Sequence, residues 1–408
     1  MLDVKKIRED FPMFKNYPTM QKHRFCYLDN AATTFKPVSV IKGEEEYYEK
    51  LCGNSHRGDY DLAHDVDVMY ASCRKTVADF INAQDIEISF TSGASMSLNT
   101  IAYGLSKFLE PGDEILLSEA EHASNVLPWF AIAHQKGCHV TYVPLENGRV
   151  TIDNFKKALT KKTKIVSLAQ VTNVLGYIVD VKSLAKIAHE HGAYFVVDAA
   201  QSAPHMKIDV KDLDCDFMAF SAHKMCGPTG IGVMYGKYDL LKQMDPLLTG
   251  GGMNTRFDTC GDVLYQLPPL KFEAGTQNLA GALGFKKAVE YLNEIGLDNI
   301  QEHEAKMRKR IIDGLKDIDD VIIYNPDAES GIITFNFKGV FAQDGASLLN
   351  SKGVCCRSGN HCAKVLLNYL GTDATIRCSL YFYNDEEDCD QFVEACHHGK
   401  EFLDAYFN

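Results

Sequence analysis

A lysine that directly follows a predicted strand carries the strongest chemical signal in the sequence. Residues 217–232 read FMAFSAHKMCGPTGIG, so Lys224 has Ser221 and His223 as neighbours and glycines after it. Open α/β sheets bind ligands beyond the carboxyl ends of their strands. A lysine that is desolvated there can lose its proton and form an imine. For an arbitrary lysine, a solvated side chain after a strand is the more common situation.

A carboxylate at the end of a second predicted strand complements this lysine. Residues 194–201 read YFVVDAAQ, a buried strand that ends at Asp198. A pyridoxal phosphate site needs a carboxylate that keeps the ring nitrogen protonated and a lysine that forms the covalent link. Asp198 and Lys224 together therefore predict such a site, although Asp198 alone would equally suit a helix cap or an ion pair.

Two weaker signals fit the same site. Residues 90–95, FTSGAS, predict a strand that runs through Gly93 into a helix, and such a turn directs backbone N–H groups and the Ser95 hydroxyl at an anion. His122 also follows a short apolar strand, which makes it a candidate to stack on the cofactor ring. Taken alone, the first is a common strand-to-helix connection and the second an ordinary surface histidine.

One of the thirteen cysteines differs from the others in its surroundings. An unplaced cysteine is usually a small buried hydrophobic residue. Cys362 instead lies in a polar stretch with Arg357, His361 and Lys364 close in sequence, and basic neighbours favour a thiolate. Cys355 and Cys356 belong to a β-like run, where we expect them to be packed. A metal cluster of these three cysteines matches no common ligand spacing, so no metal site is predicted.

The order of predicted elements indicates how these residues are positioned. Between about residues 85 and 236, apolar strands alternate with segments of helical period, which predicts a doubly wound α/β domain. After Gly281 the pattern changes to that of a smaller α+β domain, and residues 244–271 predict irregular structure. We expect a large domain at residues 21–270 and a small one formed by residues 1–20 and 271–408.

Composition limits the class of protein. The 408 residues are 46% hydrophobic and 24% charged, which excludes a disordered or fibrous chain. With 42 Lys and Arg against 55 Asp and Glu, the net charge of −13 argues against nucleic acid or anionic membranes as partners. The opening MLDVKKIREDFPMF does not resemble a signal peptide, and no apolar run is long enough to span a membrane. We therefore expect a soluble, cytoplasmic protein.

Taken in order, these motifs resemble those of the class V, fold-type I pyridoxal phosphate enzymes, and specifically the SufS-type cysteine desulfurases. The likeness extends over nearly the whole chain. It rests on YLDNAATT (27–34), NSHRG (54–58), EH (121–122), VDAAQ (197–201), SAHK (221–224), FEAGT (272–276), RSGNHC (357–362), IRCSL (376–380) and YN (383–384).

This resemblance implies a cofactor, a reaction and a role for each matching residue. Lys224 would bind pyridoxal phosphate covalently, and Cys362 would take sulfur from L-cysteine as a persulfide while L-alanine is released. His122 would stack on the ring and carry a proton. The other implied cofactor-binding residues are Ala94 through its backbone, Ser95, Asn173, Asp198, Gln201, Ser221 and His223, together with Thr276, which would reach the phosphate of the other subunit of a homodimer. The implied substrate-binding residues are Asn30, Arg357 and Arg377.

The chain departs from the family pattern at three positions. Ala94 replaces a usual threonine, Met96 an acidic residue, and Asn360 the first histidine of a pair. The short segment around Cys362 favours the SufS-type branch over the IscS-type branch, which has a longer mobile loop. The implied sulfur acceptor is a protein of iron–sulfur cluster assembly, either a scaffold or a SufE-like shuttle.

Three alternative functions stay open at this point. A selenocysteine lyase or cysteine sulfinate desulfinase on the same scaffold would depend little on Cys362. An aminotransferase or β-lyase of the same fold would release a keto acid instead of alanine. A noncatalytic cysteine-rich scaffold would bind metal and lack the cofactor.

Overall fold

A seven-stranded sheet forms the centre of the larger part of the molecule in the computed structural model, which describes residues 2–55 and 58–399. Its strands, in spatial order, are Ile88–Thr91, Gly232–Gly236, Phe217–Ser221, Tyr194–Asp198, Thr163–Ala169, Glu114–Ser118 and His139–Val143. Gly232–Gly236 is antiparallel to both neighbours, whereas the five strands beyond it are parallel to one another. This mixed sheet confirms the predicted α/β fold.

Helices cover both faces of the sheet, because successive residues of each strand point to opposite faces. Along one strand, Met218 and Phe220 join one buried cluster, while Phe217 and Ala219 join another. The first face is covered by Val38–Lys50, Asp61–Phe80, Ile152–Ala158, Val181–Glu190 and Leu279–Ile295. The second is covered by Ala94–Leu105, Leu127–Lys136 and Tyr238–Gln243. Near-continuous apolar strands are typical of this doubly covered arrangement.

A smaller antiparallel sheet follows in the carboxyl-terminal part of the chain. Its strands, in spatial order, are Val321–Ile323, Ile332–Phe337, Thr375–Ser379 and Arg357–Gly359. A third buried cluster joins this sheet to the helices Leu297–Leu315, Ala342–Ser351 and Glu386–His397. This is the α+β arrangement expected after Gly281.

Two segments pack across the expected division between the domains. The helix Leu279–Ile295 contributes to the large-sheet core, although it follows residue 270. Cys26 and Leu28, which follow residue 20, belong instead to the small-sheet core, and Cys26–Tyr27 pairs in parallel with Val354–Cys355. The division at residues 20 and 270 stays a prediction.

The remaining elements are short. Two hairpins pair Thr19–Met20 with His23–Arg24 and Asn254–Phe257 with Val263–Tyr265, the second within the stretch expected to be irregular. The other helices are Val4–Glu9, Pro12–Asn16, Val210–Leu213 and Lys364–Leu370. Within residues 2–55 and 58–399, no helix combines the length and apolar character needed to cross a membrane.

Candidate active site

A cavity of about 200 Å³ lies where the carboxyl ends of the large-sheet strands face the small sheet. Most of the residues predicted for the cofactor and substrate line it. They are Ala94, Ser95, His122, Asn173, Asp198, Gln201, Ser221, His223, Lys224, Arg357 and Arg377. The fold brings them together because parallel strands end at the same edge of a sheet, where ligands of open α/β sheets bind.

Lys224 and Asp198 face this cavity from adjacent strands. Lys224 lies in the single turn Ala222–Lys224 that follows one strand, and Asp198 is the last residue of the next. Burial lowers the pKa of Lys224 to about 8, with Asp198 opposing this shift and the charges of Arg377 and Arg357 adding to it. Lys224 is therefore a far better nucleophile at neutral pH than an ordinary lysine.

The Asp198 carboxyl is almost fully buried, at 5% exposure. Its Oδ1 accepts a hydrogen bond from the Ala200 amide (2.9 Å), and no described residue donates to Oδ2. Burial raises the pKa of Asp198, which the Ala200 amide and Lys224 counteract. A buried carboxylate with an unused oxygen is suited to a cationic N–H donor, such as a protonated pyridine nitrogen.

The predicted anion site lies at the first turn of the helix Ala94–Leu105. Gly93 precedes it with φ of +150°, a backbone conformation that side-chain-bearing residues rarely adopt. The Ala94 amide donates to Ser221 Oγ (2.7 Å), and Ser95 Oγ lies 2.6 Å from Ser124 Oγ. The turn thus combines a helix N-terminus with hydroxyl groups, as phosphate binding requires.

Both histidines predicted for the cofactor are neutral. Burial and the charge of Lys224 lower the pKa values of His122 and His223 to about 4. His122 Nδ1 accepts a hydrogen bond from the Ser124 amide (3.1 Å), so its proton lies on Nε2. Neutral His122 can therefore stack on a ring and donate from Nε2, whereas His223 brings no positive charge to a phosphate.

Two arginines enter the cavity from the small sheet. Arg357 and Arg377 are directly opposite each other on neighbouring antiparallel strands. Arg377 is 2% exposed and donates to Asn173 O through Nη1 (2.8 Å) and to Asp29 Oδ1 through Nη2 (3.3 Å). Its Nε has no partner among the described residues. The guanidinium is thus held in place with donors left for a carboxylate.

The segment that ends at Cys362 contributes Arg357 and His361 to the cavity lining, and Cys362 itself lies next to the cavity without lining it. Cys362 is exposed and adopts φ of +58°, and His361 before it has φ of +49°. Three hydrogen bonds hold these backbones: the Ala123 amide donates to Cys362 O (2.6 Å), Asn173 Nδ2 to His361 O (2.8 Å), and the Cys362 amide to Asn360 Oδ1 (3.0 Å). Cys362 is thereby tied to the segment that follows His122.

The structure changes one expectation about the cysteine surroundings, and it places Asn30 outside the cavity lining, so that the contact of Asn30 with substrate stays a prediction. His361 does not supply a positive charge to Cys362, because burial and Arg377 lower its pKa to about 3. Asn30 does not line the cavity: its Nδ2 donates to Ser379 O (2.8 Å) and Asn384 Oδ1 (3.1 Å), and its Oδ1 accepts from Tyr383. Both donors of the Asn30 side chain are thus used within the protein.

The other cysteines and motif residues lie apart from the cavity. Burial raises the pKa of Cys355 to about 11 and raises the pKa of Cys356 well above the ordinary value of a thiol, although both residues are only partly buried. Thr276 is exposed beside a neighbouring depression, and its contact with the phosphate of another subunit stays a prediction. His56 and Arg57 of the NSHRG motif lie outside the described residues.

Two residues at the site had no role assigned from the sequence, Asp29 and Glu121, and His361 had been expected only as a basic neighbour of Cys362. Asp29 binds Arg377, and His361 itself lines the cavity. Glu121 lies beneath it, where its carboxyl accepts from Ser118 Oγ (2.6 Å), Asn125 Nδ2 (2.8 Å) and the Ala169 amide (2.9 Å). Burial raises the pKa of Glu121 to about 7. Its position next to His122 in the sequence was the one available signal.

The polar groups of this cavity fit pyridoxal phosphate. Buried atoms without a partner among the described residues include Gln201 Oε1, Asn173 Oδ1 and Arg377 Nε, all on cavity-lining side chains. Buried polar groups of this kind require a ligand or water as partner. The lysine, the carboxylate with its unused oxygen and the anion turn provide partners for the aldehyde, the protonated pyridine nitrogen and the phosphate of this cofactor.

Comparisons with known proteins agree with this geometry. The family model for aminotransferase class V matches residues 26–392. A probable cysteine desulfurase of Halalkalibacterium halodurans is 43% identical over 412 residues, covering 100% of both chains. The crystal structure of the cysteine desulfurase CsdA from Escherichia coli and the apo structure of a cysteine desulfurase from Thermococcus onnurineus NA1 are also similar. The Escherichia coli structure has a TM-score of 0.90 at 35% identity, and the match covers 98% of this chain and 99% of that chain. The Thermococcus onnurineus structure has a TM-score of 0.92 at 37% identity, and the match covers 98% of both chains.

The chain therefore belongs to the aminotransferase class V family, and within it to the pyridoxal phosphate-dependent cysteine desulfurases.

Proposed function

We propose that this enzyme converts L-cysteine into L-alanine and leaves the sulfur as a persulfide on Cys362, from which a protein acceptor collects it. The observation that carries the proposal is the position of Cys362, an exposed thiol whose backbone is hydrogen-bonded to the segment after His122. An exposed cysteine beside the substrate cavity can receive sulfur from inside and pass it to a partner outside.

The roles of the binding residues follow from their charge and contacts. Bound at Lys224, pyridoxal phosphate supplies an electron sink for the carbanion formed at Cα of the substrate. Asp198 holds the ring nitrogen protonated, and the turn at Ala94 and Ser95 binds the phosphate. Arg377 binds the substrate carboxylate, with Arg357 as a second cation.

The proton and sulfur transfers can be assigned to this chain's own groups. Lys224, released from the cofactor when the substrate binds, takes the proton from Cα. The Cys362 thiolate attacks the substrate sulfur, so that an S–S bond forms and the C–S bond breaks. The electron pair of the broken bond stays on the substrate carbon. Protonation of Cβ, which we assign to His122, then gives alanine.

The cellular role we propose is that of the SufS-type branch: a cytoplasmic homodimer that supplies sulfur for iron–sulfur cluster assembly to a scaffold or a SufE-like shuttle. The support is the set of SufS-type motifs, in particular the short RSGNHC segment around Cys362. Pull-down from a cell extract after loading with L-cysteine, followed by transfer of labelled sulfur to the captured protein, tests this assignment.

The reaction itself is tested by measuring sulfide and alanine together, with L-cysteine and a dithiol reductant. We expect equal amounts of both products from the wild type and loss of both in Cys362→Ala. Cys260→Ala is the matched control, because Cys260 is also exposed but lies in the turn between the strands Asn254–Phe257 and Val263–Tyr265, whereas Cys362 directly follows the cavity-lining His361. Full cysteine activity in Cys362→Ala would contradict the proposal. Comparison with selenocysteine and cysteine sulfinate shows whether either is preferred.

A further inference from the structure

A buried histidine of the cavity wall has one ring nitrogen bonded and the other unpaired. His361 is 2% exposed and lines the cavity together with Lys224 and Arg377. Its Nε2 lies 3.0 Å from the backbone oxygen of Thr375 and 3.0 Å from Thr375 Oγ1. Its Nδ1 is buried and has no hydrogen-bond partner within residues 2–55 and 58–399.

The contact with Thr375 fixes the tautomer of His361. A backbone carbonyl can only accept a hydrogen bond, so Nε2 must carry the proton. The ring is neutral, since burial and Arg377 lower the pKa of His361 to about 3. Nδ1 is therefore an acceptor at every working pH, and a buried acceptor needs a donor from the contents of the cavity.

The chemistry of the substrate leaves one donor for this acceptor. The carboxylate of L-cysteine is itself an acceptor and is directed to the arginines. Its amino group exchanges with Lys224 at the cofactor. Its thiol must approach Cys362, because the sulfur is transferred there under the proposed function. His361 is the residue directly before Cys362, and it is one of the residues that line the cavity.

We propose that His361 Nδ1 accepts a hydrogen bond from the thiol of bound L-cysteine and thereby directs the substrate sulfur towards Cys362. This inference rests on the proposed function. The role is one of substrate recognition without proton transfer, and it makes His361 a determinant of preference for a thiol-bearing amino acid.

Two substitutions separate this role from simple support of the loop. His361→Gln retains a donor where Nε2 contacts Thr375 and loses the acceptor at Nδ1. His361→Asn retains an acceptor near Nδ1 and loses the contact with Thr375. A residue that only anchors the loop would tolerate glutamine and not asparagine. A residue that binds the thiol would show the opposite order.

The test measures ligand binding in the holoenzyme with the additional change Cys362→Ala, which blocks sulfur transfer. Rapid spectral titration gives the Kd values of L-cysteine and of L-alanine, which lacks the thiol. We expect His361→Gln to weaken cysteine binding about 3- to 10-fold relative to alanine binding, the usual contribution of one hydrogen bond. His361→Asn should retain more of this preference than His361→Gln.

Two results would overturn the inference. One is an unchanged ratio of the two Kd values in His361→Gln. The other is a loss of the preference for L-cysteine over L-alanine in His361→Asn while His361→Gln keeps it. Failure of the proposed function gives a different result. It would appear as full steady-state activity of Cys362→Ala with L-cysteine, whatever residue stands at position 361, whereas failure of this inference appears only in the Kd values.

Discussion

The pKa of Lys224 makes covalent loading of the apoenzyme with pyridoxal phosphate a pH-dependent process. Only the neutral amine attacks the aldehyde of the cofactor. With the pKa lowered to about 8, roughly a tenth of Lys224 is neutral at pH 7, which is about 250 times the neutral fraction of an ordinary lysine. We expect the loading rate to rise about tenfold per pH unit up to about pH 8 and then to level off.

The substitution Asp198→Asn tests whether the charge of Asp198 affects the pKa of Lys224. The Asp198 charge raises the pKa of Lys224, against the effect of burial. Removing the charge should therefore lower that pKa further, and the rate should level off at a lower pH than in the wild type. The bound cofactor should at the same time be held more weakly, because its protonated ring nitrogen loses a carboxylate partner.

Stopped-flow absorbance of the lysine-bound cofactor, between pH 6 and 10, measures the loading rate. Parallel reactions with N-acetyl-lysine correct for titration of the cofactor itself, and Lys224→Ala gives the background. A wild-type rate that still rises steeply at pH 10 would refute the low pKa. A shift of the Asp198→Asn profile to higher pH would refute the assigned interaction.

Three further predictions concern stability and the site geometry. Burial raises the pKa of Glu121 in the folded state from 4.5 to about 7. The unfolding free energy of the wild type should therefore fall by up to about 3 kcal/mol between pH 4.5 and 7 relative to that of Glu121→Gln, as measured by urea titration. Parallel pH dependences of the two proteins would contradict this. In Gly232→Ala the new Cβ would lie 2.5 Å from Gly93 Cα. We expect denaturation to show a loss of about 1–3 kcal/mol of stability, and cofactor dissociation to show weaker binding of the phosphate. Wild-type values in both measurements would refute this prediction. In Asn360→Ala the Cys362 amide loses its hydrogen-bond acceptor, so hydrogen exchange of this amide should become faster than in the wild type. Asn360→Asp keeps an acceptor and should keep the slow exchange. Equal exchange rates in the wild type and both variants would exclude this role of Asn360.

The sequence predicted those parts of the site that depend on local pattern. Lys224, Asp198 and His122 each follow an apolar strand, and strands of this kind end at one edge of a parallel sheet. Their convergence on one cavity could therefore be expected from order alone.

The remaining features depend on tertiary packing, which sequence spacing does not report. His361 looked like a cation beside Cys362, but its burial against Thr375 makes it neutral. The fold directs the Asn30 amide to Ser379 and Asn384, contacts that the sequence motif does not indicate. The pairing of Asp29 with Arg377 joins residues that are far apart in the chain.

The most direct test of the central claim is the location of the sulfur after one turnover. Holoenzyme is mixed with L-cysteine without reductant, quenched by alkylation and digested for mass spectrometry. We predict one additional sulfur atom on the peptide that contains Cys362, together with one alanine per site. Additional sulfur on another cysteine, or alanine formation with Cys362 unmodified, would contradict the account.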